Sequence, residues 1–446
     1  MQNFSQELAT LAQTLPELAK AFDDLPAQNG SPADFDRMQD VLQQVATRMG
    51  DNYPYHHPHY AGQMLKPPHP IARMAYMLGM YLNPNNHALD GGRASSAMEK
   101  EAVAEIATMY GWEQHLGHLT GGGTMANLEA LWVAGKSHPD QLIVASNQAH
   151  YTHSRITEVL GLPYRSVATD AHGRMDLESL ETILKQDEVG TVVATIGSTG
   201  VGAVDPLPGL LALKREYGFR IHVDSAYGGY FTLANQLSAE VQIVYDALDQ
   251  VDSLVVDPHK HGLQPYGCGC VIFSDPSVGQ YYSHDSPYTY FTSAELHLGE
   301  ISLECSRPGA AAVALWATQQ LLPLTQDGEF STMLDQCLLA ARKLYALAKA
   351  SDNYFPFFYP SLDIVIFAPV GTSTSQISDR SKALFQKSAD KDVHLALFQY
   401  PAEKFQTLFP SVEVDTPYVA CLRSCLMKPE HLEVVEDLWK VMEEIA

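Results

Sequence analysis

Four short stretches of the chain share one pattern: apolar residues along their length and a polar or glycine exit. They end near Ser146, Gly197, Asp224 and Asp257. One is Leu142-Ile143-Val144-Ala145, another Thr191 to Ile196, and the last Ser253-Leu254-Val255-Val256. Short apolar runs of this kind, without polar alternation, read as strands covered on both faces. Strands covered in that way and separated by helical stretches form a mostly parallel sheet, so the predicted fold class is α/β. In an open sheet of that type ligands gather at the carboxyl ends of the strands. The four exits are therefore where a site belongs.

Two of those exits carry complementary chemistry. Asp224 ends one strand, and Lys260 follows the next in Asp257-Pro258-His259-Lys260. Between them there is room for one helix and one strand, so a βαβ step would bring both to one sheet edge. A neutral lysine amine condenses with an aldehyde to a Schiff base. A nearby carboxylate keeps a pyridine nitrogen protonated. Pyridoxal phosphate needs this pair: an amine for its aldehyde and an anion for its ring nitrogen. Upstream, Leu119-Thr120-Gly121-Gly122-Gly123-Thr124-Met125-Ala126-Asn127-Leu128 runs from glycines straight into a helix, with Thr124 its expected N-cap. Free N–H groups and the positive end of the helix dipole suit a phosphate there.

The run His222-Val223-Asp224-Ser225-Ala226-Tyr227-Gly228-Gly229, followed by Asp257-Pro258-His259-Lys260, resembles the group II pyridoxal-phosphate-dependent amino-acid decarboxylases. That family includes glutamate, aromatic-amino-acid, histidine and tyrosine decarboxylases. The resemblance extends from about His57 to Trp316, and more weakly to Arg423. Ser225 departs from the usual alanine, and His261 stands where many eukaryotic members carry tryptophan.

The resemblance implies an aminotransferase-like (fold type I) architecture: a mostly parallel central sheet with helices on both faces, plus a C-terminal α+β small domain. The expected division is a helical arm over 1–55, a large cofactor domain over 56–325 and a small domain over 326–446. Lys260, Asp224 and His150 are the implied catalytic residues, with His150 stacking on the cofactor ring. Gly122, Gly123, Thr124, Thr199, Ala226, His259 and Ser306 are implied further cofactor contacts, Ser306 where a partner subunit approaches the phosphate. His59, Tyr60, Arg423 and the loop tyrosines Tyr288 and Tyr290 are implied on the substrate side. Arg423 suits an α-carboxylate, and a loop tyrosine could protonate the carbanion. The implied reaction converts an L-amino acid with an aromatic or acidic side chain to its amine and carbon dioxide. A carbon–carbon lyase, an aldehyde-forming decarboxylase or a cofactor-free assembly protein of the same fold are the alternatives.

Composition narrows the rest. A net charge of −24 disfavours nucleic acid and anionic membranes as partners. Six cysteines without zinc-like spacing fit reduced thiols in a cytoplasm. His56, His57 and His59 surround Pro58 with no carboxylate pair nearby, so no metal is expected. Met1 to Ala21, with Glu7 and Glu17, reads as an amphipathic helix rather than a signal peptide. In Arg37 to Met49, apolar Met38, Val41, Leu42, Val45 and Met49 recur at helical spacing and are expected to pack on a second subunit. Between Ala97 and Tyr110, Val103, Ile106 and Met109 are read as the apolar face of a helix and Glu99, Glu101 and Glu105 as its polar face.

Overall fold

In the computed structural model, which describes residues 4–26, 33–283 and 302–446, the apolar runs assemble into a seven-stranded sheet. Its strands are β1 (Leu116–Thr120), β2 (Leu142–Ser146), β3 (Tyr164–Val167), β4 (Val189–Thr195), β5 (Arg220–Asp224), β6 (Ser253–Val256) and β7 (Gly269–Phe273). Their order is β1-β7-β6-β5-β4-β2-β3. The run β3-β2-β4-β5-β6 is parallel, whereas β7 lies antiparallel to both β6 and β1.

The core explains why those runs are unbroken. Val192, Ala194, Ile221, Val223, Leu254 and Val256 all fall to 0% exposure, with helices packed over the sheet. Each such valine, leucine or isoleucine contributes roughly 1.5–3 kcal/mol relative to remaining exposed. The register then levels the exits. Thr195 pairs with Asp224, and Asp224 with Val255. Because β7 is antiparallel, its first residue, Gly269, pairs with the last residue of β1, Thr120, at this same edge.

A second, antiparallel sheet is built from β8 (Tyr354–Pro356), β9 (Ile364–Pro369), β10 (Ala396–Pro401) and β11 (Tyr418–Cys425), in the order β10-β11-β9-β8. Alternation gives it two faces. Val365, Phe367 and Leu422 pack under the helices Glu329–Ala350, Thr374–Ala389 and His431–Ile445. Ile364, Ile366 and Cys421 pack with Val201 and Tyr227, which come from loops of the first sheet.

Two local expectations are corrected. Thr124 is not an N-cap: the helix Gly123–Ser137 is capped by Gly122, with no side-chain cap bond, and Thr124 is already helical. Gly122 has φ of +151°, backbone that a glycine supplies without strain, so the turn closes before the threonine is reached. Glu99 is not on a polar face. It lies at 0% exposure within the helix Arg93–Met109. It accepts hydrogen bonds from Asn86 Nδ2 at 2.6 Å and the Leu119 N–H at 3.0 Å, and pairs with the Arg307 guanidinium. Pairing of this kind is what makes a buried carboxylate tolerable.

Candidate active site

The levelled strand ends enclose a cavity of about 450 Å³, within the range of small-molecule sites. Five strand exits supply its walls. Gly122, Gly123 and Thr124 follow β1, His150 follows β2, Thr199 follows β4, Asp224 and Ala226 close β5, and His259 and Lys260 follow β6. The structure thus brings together nine of the sequence-predicted positions.

The glycine turn is shaped by close approach. A Cβ on Gly269 would lie 2.5 Å from the Gly122 carbonyl carbon, so β7 backs directly onto the turn. On its other side His259 lies 3.3 Å from where a Gly122 Cβ would be, and its ring packs against Tyr266 with centroids 4.8 Å apart. The first N–H groups of a helix have no intrahelical acceptor. Here no side chain caps them, which leaves them available to an anion. The Gly121 N–H already donates to Glu304 Oε2 at 2.9 Å.

Asp224 is 5% exposed. Its Oδ1 accepts the Ala226 N–H at 3.1 Å and its Oδ2 accepts from His153 Nε2 at 2.8 Å. Burial alone would raise this carboxyl. The hydrogen bond and charge of His153, then the Lys260 ammonium, outweigh burial and hold it well below the usual carboxylate range. Lys260 Nζ lies 3.0 Å from Asp257 Oδ2. The other oxygen of Asp257 is buried without a hydrogen-bond partner among the described residues. Burial holds the His150 imidazole below its ordinary value, and its Nδ1 lies 2.8 Å from Thr152 Oγ1.

The remaining predicted positions lie outside the cavity wall. Arg423 on β11 is 5% exposed, and Ile366 beside it in register faces the first sheet. It donates through Nη1 to the Thr199 carbonyl at 2.8 Å and through Nη2 to Gln63 Oε1 at 2.7 Å. The Gln63 N–H donates to the Tyr60 hydroxyl at 3.2 Å. Tyr60 is therefore joined to the rim by a relay through Gln63, Arg423 and Thr199. The His59 ring meets His57 edge-on at 4.6 Å. Ser306 is exposed, and its Oγ accepts from Asn85 Nδ2 at 3.1 Å. Tyr288 and Tyr290 lie outside the described residues.

Sequence reading missed His153, Asp257 and Gln63 as parts of this site. His153 sits one turn of helix beyond His150, a spacing that puts both on one side of the chain. For Asp257 the signal was its place at a strand exit.

A cradle of uncapped N–H groups, a buried carboxylate in the cavity lining and a primary amine in the same lining fit pyridoxal phosphate by donor chemistry. Comparison with known proteins agrees. Residues 23–368 match the family described as pyridoxal-dependent decarboxylase conserved domain. The chain is 27% identical over 407 residues to an L-tyrosine decarboxylase of Levilactobacillus brevis, covering 68% of this chain and 65% of that protein's length. It is 29% identical over 334 residues to an L-aspartate decarboxylase of Thermococcus kodakarensis, covering 74% and 84%. In fold it is similar to Oryza sativa TDC, solved with PLP and tryptamine: TM-score 0.79, 16% identity, coverage 100% and 98%. Mouse CSAD gives 0.78 at 20% identity, with coverage 96% and 92%.

Proposed function

The chain belongs to the pyridoxal-dependent decarboxylase family, and from that membership we propose that it converts an L-amino acid to its amine and carbon dioxide. When bound, pyridoxal phosphate supplies a cationic ring that accepts the electron pair left as the Cα–carboxylate bond breaks. The chain's own residues do the rest. Gly123 and Thr124 offer N–H groups to the phosphate and Gly122, whose own N–H meets Thr120 Oγ1 at 3.3 Å, shapes the turn, with His259 beside them and Ser306 approaching from a second subunit. Asp224 faces the ring nitrogen, and Ala226 fixes that carboxylate. His150 covers the ring, Thr199 borders it and Lys260 provides the amine. Arg423, already oriented by Thr199 and Gln63, is the cation for the substrate carboxylate. Lys260 and His150 are the cavity-wall groups able to return a proton to Cα, with Tyr288 and Tyr290 as further donors. The observation that carries this reading is the convergence of Lys260 and Asp224 on one cavity from adjacent parallel strands.

The relatives are named for tyrosine and for aspartate, which supports an aromatic or an acidic substrate side chain here. A panel of the twenty amino acids, read by carbon dioxide release, is expected to return a few substrates from those two classes. An aldehyde without carbon dioxide would make the protein a carbon–carbon lyase. A protein that stays colourless with added cofactor would remove the reading altogether.

The working unit is a homodimer. The helix Phe35–Met49 buries none of its residues, and Phe35, Leu42 and Met49 are 75%, 66% and 63% exposed. An apolar stripe of that kind is a face awaiting a partner. Light scattering should give twice the chain mass of 49.1 kDa. Val41→Glu with Val45→Glu should shift the population to single chains, and a parent that scatters as one chain overturns the dimer. A cytoplasmic location is supported by six unpaired cysteines, five of them buried. A freshly isolated protein with fewer free thiols would count against it. Among the described residues no helix is long and apolar enough to cross a membrane.

A further inference from the structure

His153 has no role in the chemistry described so far, yet it is the most enclosed titratable group touching the site. Its side chain is at 0% exposure in the first turn of the helix Thr152–Leu160. Nε2 reaches Asp224 Oδ2 at 2.8 Å, while Nδ1 is buried with no hydrogen-bond partner among the described residues. A carboxylate only accepts, so Nε2 must carry hydrogen and aim it at Asp224.

We infer that His153 is a positioning residue that fixes the Asp224 carboxylate, in its ionised form, toward the cofactor's ring nitrogen. Oδ2 is held by His153 and Oδ1 by the Ala226 N–H. The carboxylate plane is thereby set, and each oxygen keeps a lone pair free. The neighbouring groups do not substitute for it. His222, two residues earlier on β5, has Nδ1 at 2.9 Å from Ser253 Oγ and Nε2 at 2.9 Å from Asn127 Oδ1. Burial pushes it down to about 3, so it adds no charge near neutral pH. The other charged or titratable groups facing the pair are His150, which leads into the same helix, and Lys260 and Asp257 beyond β6. His150 is tied to Thr152, and Lys260 to Asp257.

The inference rests on the proposed cofactor chemistry, and the test separates the two. His153→Met and His153→Gln have nearly the same volume, but only glutamine keeps an N–H donor at that reach. Each cofactor-stripped protein is titrated with pyridoxal phosphate, followed by visible absorbance and fluorescence quenching. The pH profile of the absorbance is recorded for both. H153M is expected to raise the cofactor dissociation constant about tenfold or more, the scale of one lost hydrogen bond to a charged group. The acid limb of its absorbance profile should move up in pH, because Asp224 then protonates more readily. H153Q should stay within about threefold of the parent. H153M matching the parent in both readouts overturns the inference, as does H153Q behaving like H153M. Failure of both variants to fold would make the residue a core residue and also overturns it. A parent that takes up no pyridoxal phosphate overturns the cofactor reading instead.

Discussion

Lys260→Ala protein is expected to fold, to show no visible cofactor band and to lose turnover by on the order of 10³-fold or more. The side chain is 21% exposed and follows β6 rather than lying within it, so its removal opens no cavity in the sheet. What it does remove is the only primary amine on the cavity wall among the described residues. Asp257 Oδ2 loses a cation at 3.0 Å, which makes a small loss of thermal stability the expected side effect. Absorbance of the purified variant and carbon dioxide release on the best substrate check both halves. Turnover within about tenfold of the parent would refute the assignment of Lys260 as the nucleophile.

Asp224→Asn should be nearly as damaging, for a different reason. The amide keeps the shape, and its oxygen can still accept from His153 or Ala226, but the negative charge is gone. Removing one member of a buried ion pair costs about 3–5 kcal/mol, or two to three and a half decades at about 1.4 kcal/mol per decade. The expected result is a fall in kcat of on the order of 10²- to 10³-fold, with weaker cofactor binding. The pH sign follows from the lowered carboxyl. A carboxyl held below its ordinary value of about 4 contributes fully above that pH, and the contribution is lost only as pH falls through the native value. The parent's cofactor binding should therefore be flat through the neutral range and fail only in strong acid. D224N should be impaired at every pH. A D224N enzyme with parental kcat would remove Asp224 from the chemistry.

The sheet was legible because a strand buried on both faces leaves an unmistakable apolar run, and a polar exit marks where it stops. The same grammar pointed to Asp224, Lys260 and His150, each within a few positions of a strand end. Other parts depend on distant segments. Nothing near Glu99 announces Arg307, which lies on the far side of the glycine turn in sequence, so its helix pattern suggested a solvated carboxylate. Thr124 satisfied every local rule for a cap, yet Gly122 closed the turn first through a backbone angle that sequence does not display. His153 looked like any helix residue because its partner lies on a strand 71 residues further along the chain. Gln63 and Arg423 meet only when the two sheets pack together.

The pairing of Leu116–Thr120 with Gly269–Phe273 has an assembly consequence. Two strands that lie side by side are separated in the chain by nearly all of the large sheet, and bringing them together carries a closure entropy that rises with the logarithm of the loop length. A fragment ending before Gly269 would contain all three glycines of the turn and none of the strand that backs them. The anion cradle is thus a property of the closed sheet: its parts are made early in synthesis, and its shape is available only after the last strand has been laid down.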